Sequence, residues 1–426
     1  MKISLHTLGC KVNQCETETI AADLRSRGYE IVPDGSFADV YVINTCMVTQ
    51  MAERKSRQYI RRAKKANPEC KVVVTGCYAE VCPKELSMLD GVDIVLGNRD
   101  KAAVADHIFE HLKMKPSCAG EISKTEKTRA FIKIQDGCDR FCAYCIVPYA
   151  RGKPKSRPLE DITHEARKLI SGGFNEIVLT GINTALYGSE EGFSENCGLD
   201  KVIKEINGIP GDFRIRLSSL EPTVIDAAYV KKLFKYEKLC RHLHLSLQSG
   251  SDRILGLMNR RYNIEEYMQI IRALKAFDPL YGISTDVIAG FPGESDEDFA
   301  ESIDVIKRAR FCKVHVFKYS ARKGTAAAEM EGVVSEGKKA ERGAALKAEG
   351  DKSQRRFFES NIGQAKRVLI EEYIDKAGCY TGFTDNYIKI YIKNDYALGY
   401  YLNKFINVKP VRFRGGGMEA EIIRGE

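Results

Sequence analysis

The sequence predicts an α/β protein in three parts: an N-terminal parallel α/β domain of Rossmann-like type, a central partial β/α barrel, and a small C-terminal antiparallel β-barrel. Two long stretches in which short apolar strand signals alternate with helix-length periodic segments predict the first two parts. A third stretch, beyond a charged helical connector, alternates with period two between glycine turns and predicts antiparallel strands. At 426 residues the chain has room for three cores.

In the first part, 1–113, the strand-like runs are Ile3–Leu8, Asp39–Asn44, Val72–Thr75 and Val92–Leu96. Helix-like runs separate them: Glu16–Arg27 closed by Gly28, Gln50–Ala66 ended by Asn67-Pro68, and the stretch after Glu80. Three of these strands run into a cysteine, as Leu8-Gly9-Cys10, Asn44-Thr45-Cys46 and Thr75-Gly76-Cys77. Open α/β sheets bind ligands outside the carboxyl ends of their strands, so three cysteines remote in sequence are expected along one edge. A single cysteine of this kind reads as a small buried hydrophobe. Three at equivalent strand ends predict a three-thiolate cluster.

The polar stretch Met114–Arg129 reads as a linker. In the second part, 130–356, strands are expected at Ala130–Ile134, Glu176–Leu179, Arg214–Leu217, His242–Leu247, Gly282–Ile288 and Lys313–Phe317, with helices such as Leu159–Ser171 and Asn263–Phe277 between them. Six such units predict an open barrel with its chemistry at the strand C-terminal ends. The first of these strands is followed by Gly-Cys-Asp-Arg-Phe-Cys-Ala-Tyr-Cys, which carries Cys138, Cys142 and Cys145. An iron–sulfur cube has four irons and normally takes four thiolates, so three ligands leave one iron open to another molecule. Structural zinc wants four closed ligands, and no second cysteine pair follows. Disulfides need an oxidising compartment, and no export signal precedes the opening strand.

Later strand ends carry hydroxyl, amide and carboxylate groups able to hold a zwitterionic, ribose-bearing ligand. They are Thr180-Gly181, Ser218 to Glu221-Pro222, Ser246 to Gln248-Ser249-Gly250, Asp286 through Gly290 to Glu294, and Tyr319 to Arg322. In the third part, 362–426, strands are expected at Arg367–Glu371, Tyr387–Ile392 and Asn407–Phe413, with a hairpin at Gly415-Gly416-Gly417. Small barrels of this size commonly bind RNA. Its Tyr391, Tyr396, Tyr400, Tyr401 and Phe405 read either as base-stacking groups or as core. Lys338, Lys339, Arg342, Arg355 and Arg356 of the connector Ser335–Glu359 read as a solvated helix face.

Composition bounds the rest. A hydrophobic content of 44% is ordinary for a soluble globular protein, and no apolar run approaches the length of a membrane span. A formal charge of +8 permits an acidic partner without requiring one. Fourteen cysteines point to a reducing cytoplasm and to metal. Cys15, Cys70, Cys82, Cys118, Cys197, Cys240, Cys312 and Cys379 read as structural or incidental, with Cys15 and Cys82 near the cluster cysteines in sequence.

The Cys138–Cys145 spacing, with aromatic Tyr144 before the last cysteine, resembles the radical S-adenosylmethionine (SAM) enzymes. Over all three parts the chain resembles the methylthiotransferases of that class, whose C-terminal barrel is the kind called TRAM. The resemblance implies two [4Fe–4S] clusters, one on Cys138, Cys142 and Cys145 and one on Cys10, Cys46 and Cys77. SAM is implied both as radical source and as methyl donor. It also implies that Tyr144 lies near the SAM adenine, Thr180-Gly181 near its amino group, Glu221 and Gln248 near its ribose or carboxylate, and Ile288 to Gly290 along the adenine.

Leu8-Gly9-Cys10-Lys11-Val12-Asn13-Gln14 is most similar to the branch that acts on N6-threonylcarbamoyladenosine (t6A) at position 37 in the tRNA anticodon loop. The isopentenyladenosine branch usually shows Gly-Cys-Gln-Met-Asn, and the branch acting on an aspartate of ribosomal protein S12 usually shows Gly-Cys-Pro-Lys-Asn. Cys15 stands where an aromatic is usual and Lys318 where proline is common. The implied reaction adds a methylthio group at C2 of the adenine. Its implied setting is a cytoplasmic monomer, away from membranes, fed electrons by a donor such as flavodoxin or ferredoxin. A non-catalytic iron–sulfur redox regulator is the alternative of another class, and the repeated polar strand ends argue against it.

Overall fold

The computed structural model describes residues 1–112, 128–190, 198–393 and 400–423. Its contacts divide the chain into two compact units. The first gathers residues 1–112 with the segments Asp136–Lys153 and Ser320–Ala328; the second holds the remainder.

The first unit is built on five parallel strands: β1 (Lys2–Thr7), β2 (Glu30–Val32), β3 (Val40–Thr45), β4 (Lys71–Gly76) and β5 (Ile94–Leu96), in the order β2-β1-β3-β4-β5. β3 is buried along its whole length, as a central parallel strand covered on both faces should be. β2 is short, half exposed and at the edge, and so carries no apolar run for the sequence to announce. Helix α1 (Lys11–Ser26) begins five residues before the apolar periodicity does. Its first turns bury Asn13, Glu16 and Thr17, polar side chains that a periodicity argument assigns to solvent. Helix α2 (Gln50–Ala66) starts where the Thr49 side chain accepts a hydrogen bond from the Ala52 N–H, and it buries the narrow stripe Ser56, Ile60 and Ala63. Ile146 and Ala150, from the segment after the three-cysteine loop, pack into the same core as Ile43, Val74 and Tyr78. That loop therefore belongs by contact with the N-terminal sheet.

The second unit contains the predicted partial barrel. Its strands are β6 (Arg129–Asp136), β7 (Lys155–Ser156), β8 (Glu176–Gly181), β9 (Arg214–Leu217), β10 (Ser219–Leu220), β11 (His242–Leu245), β12 (Gly282–Ala289) and β13 (Lys313–Lys318). They form two sheets, β7-β6-β8-β9 and β10-β11-β12-β13, joined where the Ile215 N–H donates to Lys238 O. The six strands the sequence predicts are all present, and their neighbours pair in parallel within each sheet. Ile177, Leu179, Ile215, Leu217, Leu243 and Leu245 join the core beneath the helices. The alternate positions Glu176, Arg214, Arg216, His242 and His244 are thereby turned to the concave side.

The C-terminal strands β14 (Lys366–Ile374), β15 (Cys379–Thr384), β16 (Lys389–Lys393), β17 (Phe405–Arg414) and β18 (Gly417–Ile422) close a barrel in the order β14-β15-β16-β18-β17. All pairs are antiparallel except β16 with β18, which closes the barrel in parallel. Tyr387 has φ 70° and sits in the turn before β16, so the strand starts later than the sequence suggests. The turn 383–387 is set into the floor of the β/α barrel. Arg216 donates to the carbonyls of Thr384 and Asp385 at 3.0 Å, and Arg214 donates to that of Phe383 at 3.0 Å. The Tyr387 ring stacks on His242 with centroids 4.5 Å apart. At Gly282 a Cβ would lie 2.3 Å from Asn386 O, so only glycine admits this approach.

The connector helix Glu336–Glu359 corrects one expectation. Lys338, Arg355 and Arg356 are solvated, but Lys339 and Arg342 are buried. Arg342 is bound to Glu294 at 2.7 Å, and the stem of Lys339 covers Gly290. A long cationic side chain can bury its methylenes and still satisfy its head group, which charge spacing alone does not reveal. Among the described residues no helix is long and apolar enough to cross a membrane.

Candidate functional site

The parallel register sets three cysteines along the carboxyl edge of the N-terminal sheet. Thr45 of β3 pairs with Gly76 of β4, so Cys46 and Cys77 follow side by side. Thr7 of β1 pairs with Asn44, the Leu8 N–H donates to Asn44 O, and Cys10 comes two residues later. Two glycines make this edge possible. A Cβ on Gly9 (φ 102°) would lie 2.9 Å from Cys46 Sγ, and one on Gly76 (φ 99°) would lie 2.3 Å from Thr45 O. Asn13 stitches the turns together by donating to Leu8 O at 2.7 Å and to Thr45 O at 3.0 Å. Asn44 in turn donates to Asn13 O at 3.0 Å. Gly76→Ala is accordingly expected to cost more than about 1 kcal/mol, because it strains a left-handed backbone. It should also part Cys46 from Cys77. A lower thermal midpoint together with reduced iron uptake on reconstitution would check both effects.

Cys46 and Cys77 are buried, Cys10 is exposed, and the Asn98 amide reaches Cys77 Sγ at 3.8 Å. Burial pushes the Cys46 thiol up to about 11, and the neighbouring Cys77 and Cys10 push in the same direction. A thiol held protonated in this way is a poor free nucleophile, and a metal that claims it must displace the proton.

The loop with Cys138, Cys142 and Cys145 is shaped by its backbone. Gly137 has φ 71°, and a Cβ there would meet Lys153 O at 2.0 Å. The Cys138 N–H donates to Gly152 O at 3.0 Å, the Cys145 N–H donates to Cys142 O at 2.9 Å, and Phe141 adopts a left-handed φ of 44°. All three cysteines and Tyr144 are half-buried. Among the described residues no three His, Cys, Asp or Glu side chains converge closely enough to hold a single metal ion. A four-iron cube takes its thiolates at separate corners, and both cysteine sets have the thiolate chemistry it requires.

One guanidinium ties the two cysteine-bearing segments together. Arg151, whose side chain is 1% exposed, donates to Glu16 at 2.8 and 3.1 Å, to Asp136 at 3.0 and 3.1 Å, and to Asn13 Oδ1 at 2.6 Å. Lys101 reaches the same Glu16 at 2.5 Å. Burial opposes the charge on Arg151, but Cys77, Glu16 and Asp136 together hold it protonated. Sequence reasoning missed Glu16, Lys101 and Arg151. Only Asn13, inside the quoted Leu8–Gln14 motif, carried a signal.

In the second unit the predicted cofactor residues gather into two groups. Thr180 and Gly181 end β8, where Gly181 packs on Gln135, and Gln135 accepts from the Asn183 N–H at 2.9 Å. Asn183 donates to Glu221 at 2.5 Å, and Arg260 pairs with Glu221 at 3.1 Å. Gln248 (φ 66°) donates its N–H to Asp286 O and accepts from the Ile288 N–H, both at 2.8 Å, which bridges the ends of the β11 and β12 segments. Gly290 stands apart: its N–H is bound to Glu294 at 2.9 Å and its open side is filled by Lys339. It has no N–H free for an adenine. Thr180 Oγ1, Asn183 Oδ1 and Ser218 Oγ are buried without a hydrogen-bond partner. Buried polar atoms are rarely left unpaired, and three at neighbouring strand ends fit a polar ligand such as SAM.

The sequence families agree with this geometry. Residues 132–306 match the Radical SAM superfamily, and residues 2–97 match the uncharacterized protein family UPF0004. The barrel, with its three-cysteine loop, makes this a radical SAM enzyme. The threonylcarbamoyladenosine tRNA methylthiotransferase MtaB of Thermotoga maritima is 38% identical over 91% of this chain and 90% of its own length. That of Aquifex aeolicus is 41% identical over 88% and 96%. A tRNA-2-methylthio-N(6)-dimethylallyladenosine synthase of Syntrophus aciditrophicus is 36% identical over 87% and 84%. The chain belongs to the radical SAM methylthiotransferase family, whose cofactors are SAM and [4Fe–4S] clusters. Among solved structures, the radical SAM methyltransferase TsrM from Kitasatospora setae shares the fold at a TM-score of 0.55 and 13% identity, covering 77% of each chain.

Proposed function

We propose that the protein adds a methylthio group to C2 of t6A at position 37 of tRNA. The observation that carries this reading is the pair of three-cysteine sets, in a chain whose relatives at 38% and 41% identity bear that activity in their names. Cys138, Cys142 and Cys145 hold one cluster, with Tyr144 beside its ligand, and Cys10, Cys46 and Cys77 hold the other. When bound, SAM and the clusters supply the radical, the methyl group and the sulfur.

The chain's own residues position and shield. Thr180, Asn183 and Ser218 offer their unpartnered oxygens to the cofactor, and Glu221, fixed by Arg260 and Asn183, keeps one carboxylate orientation toward it. Gln248 and Ile288 line the next strand ends. The functional divisions are 1–113, 130–356 and a TRAM-type 362–426. In the last, Tyr400 is exposed, while Tyr391 is half-buried with Lys389 and Arg414 over its ring; these two are the base-stacking candidates. Tyr401 is core, Phe405 is held by Arg214 and Arg367, and Tyr396 lies outside the described residues. The protein works in the cytoplasm as a monomer with a flavodoxin or ferredoxin as electron donor.

Reconstitution should load about eight irons per chain, as two four-iron clusters. C10A/C46A/C77A should lose about half of that iron and still cleave SAM, while C138A/C142A/C145A should lose the cleavage. Mass spectrometry of tRNA from cells lacking the gene should show t6A without its methylthio group. Unchanged t6A would refute the substrate, and a loss confined to the isopentenyladenosine product would move it to the other tRNA branch.

A further inference from the structure

The most concentrated charge in this molecule lies outside every residue assigned above. Helix α2 carries seven cations (Arg54, Lys55, Arg57, Arg61, Arg62, Lys64 and Lys65) against the single carboxylate Glu53. Its net charge of +6 over seventeen residues compares with +8 for the whole chain. The C-terminal part, 362–426, has ten cations against eight carboxylates.

Internal pairing accounts for only part of the helix. Glu53 is taken by Arg322, Arg57 binds Glu85 at 2.8 Å and the Tyr78 hydroxyl at 2.7 Å, and Lys64 binds Cys70 O at 2.6 Å. Arg54, Lys55, Arg61, Arg62 and Lys65 are exposed, and none pairs with a carboxylate among the described residues. Their spacing (54/55, 61/62, 65) puts all five on one face, opposite the buried Ser56, Ile60 and Ala63. The stripe is about 16 Å long at 1.5 Å per residue. An ordinary solvated face intersperses acids three or four residues from its cations, and like charges at that spacing destabilise a helix by a few tenths of a kcal/mol each. Here Arg57, Arg61 and Lys65 follow one another at that spacing with no acid between them. The helix leaves the Cys46 strand end after only four residues; Val48 in that short approach and Met51 in the first turn of the helix are exposed.

We infer that this face of α2 is a docking surface for the phosphate backbone of the RNA substrate. The inference rests on the tRNA reading above. A row of guanidinium and ammonium groups without carboxylate partners, with only Gln58 among them as a neutral polar side chain, fits a polyanion held for position rather than for sequence. The N-terminal unit thereby grips RNA close to the cysteine edge, in addition to any contact made by the C-terminal barrel.

The test is the salt dependence of binding to an anticodon stem-loop bearing t6A. Each phosphate contact contributes about 0.7 to 0.9 to the slope of log affinity against log salt. R54Q/K55Q/R61Q/R62Q/K65Q should bind at least tenfold more weakly near physiological salt, with a slope lower by about three, and R54K/R61K/R62K should keep both. Circular dichroism and iron content report whether each variant is folded. If the wild type binds the stem-loop and the glutamine variant matches it in affinity and slope, the docking surface is wrong while the tRNA reading stands. If the wild type binds no tRNA, both fall.

Discussion

Glu176→Gln is expected to loosen the C-terminal barrel from the β/α barrel and to cost about 3–5 kcal/mol, the usual penalty for breaking a buried charge pair from one side. Glu176 is fully buried and faces three guanidiniums. It binds Arg216 at 2.8 and 3.1 Å, Arg129 approaches at 3.4 Å, and Arg214 is hydrogen-bonded to it as well. Those arginines also hold the other barrel: Arg216 and Arg214 bind the carbonyls of the 383–387 turn, and Arg129 pairs with Glu371. A neutral amide would leave the buried Arg214 and Arg216 and the half-buried Arg129 with one remaining carboxylate. Burial alone would raise the Glu176 carboxyl, but Arg216, Arg214 and Arg129 overcome it and hold the group well below the usual carboxylate range. A carboxyl depressed in the fold stabilises it at every pH above its unfolded value, near 4.3, and gives that stability up as pH falls further. The wild type should therefore soften below about pH 4 through this group, and the glutamine variant should lack that component. Calorimetry and limited proteolysis at the 360–366 junction would check both; an unshifted melting transition would refute the role.

Arg151→Met is the second large effect. The substitution keeps the stem but removes the donor shared by Glu16, Asp136 and Asn13, and it leaves Glu16 with Lys101 alone. The expected loss is again about 3–5 kcal/mol. It should be accompanied by release of the Asp136–Lys153 segment from α1. Arg151→Lys should recover only part, because a single ammonium cannot span three acceptors as the planar fork does. Thermal midpoint and the rate at which a chelator strips iron are the measurements. Iron stripped no faster than from wild type would show that the loop is held by its backbone alone.

The features legible in the sequence were local. The six cysteines, the six barrel strands and the strand-end polar groups all declare themselves within a few residues, through spacing, apolar runs and glycine. What stayed hidden depends on partners far away in the chain. Glu176 and Arg216 lie forty residues apart, and each alone reads as an ordinary exposed charge. Glu16 is buried only because Arg151, 135 residues on, and Lys101 reach it. Lys339 and Arg342 sit in a charged helix whose inward face is set by Gly290 and Glu294. The first turns of α1 show no clear apolar period because Asn13 and Thr17 are buried in hydrogen bonds beside the buried Val12 and Cys15. The family resemblance puts Gly290 along the adenine, and its hydrogen bond to Glu294 is not visible in the sequence.

The turn 383–387, seated on Arg214, Arg216 and His242, bears on how the molecule can search for RNA. A binding module on a floppy tether samples a volume that grows with linker length, and it loses entropy when its catalytic partner is reached. This module has no such freedom with respect to the β/α barrel, since the connector helix Glu336–Glu359 and the inserted turn fix it at two points. If RNA is held on the C-terminal barrel, it is presented to the strand ends at a set reach. Lengthening the connector would unseat the module rather than extend its range.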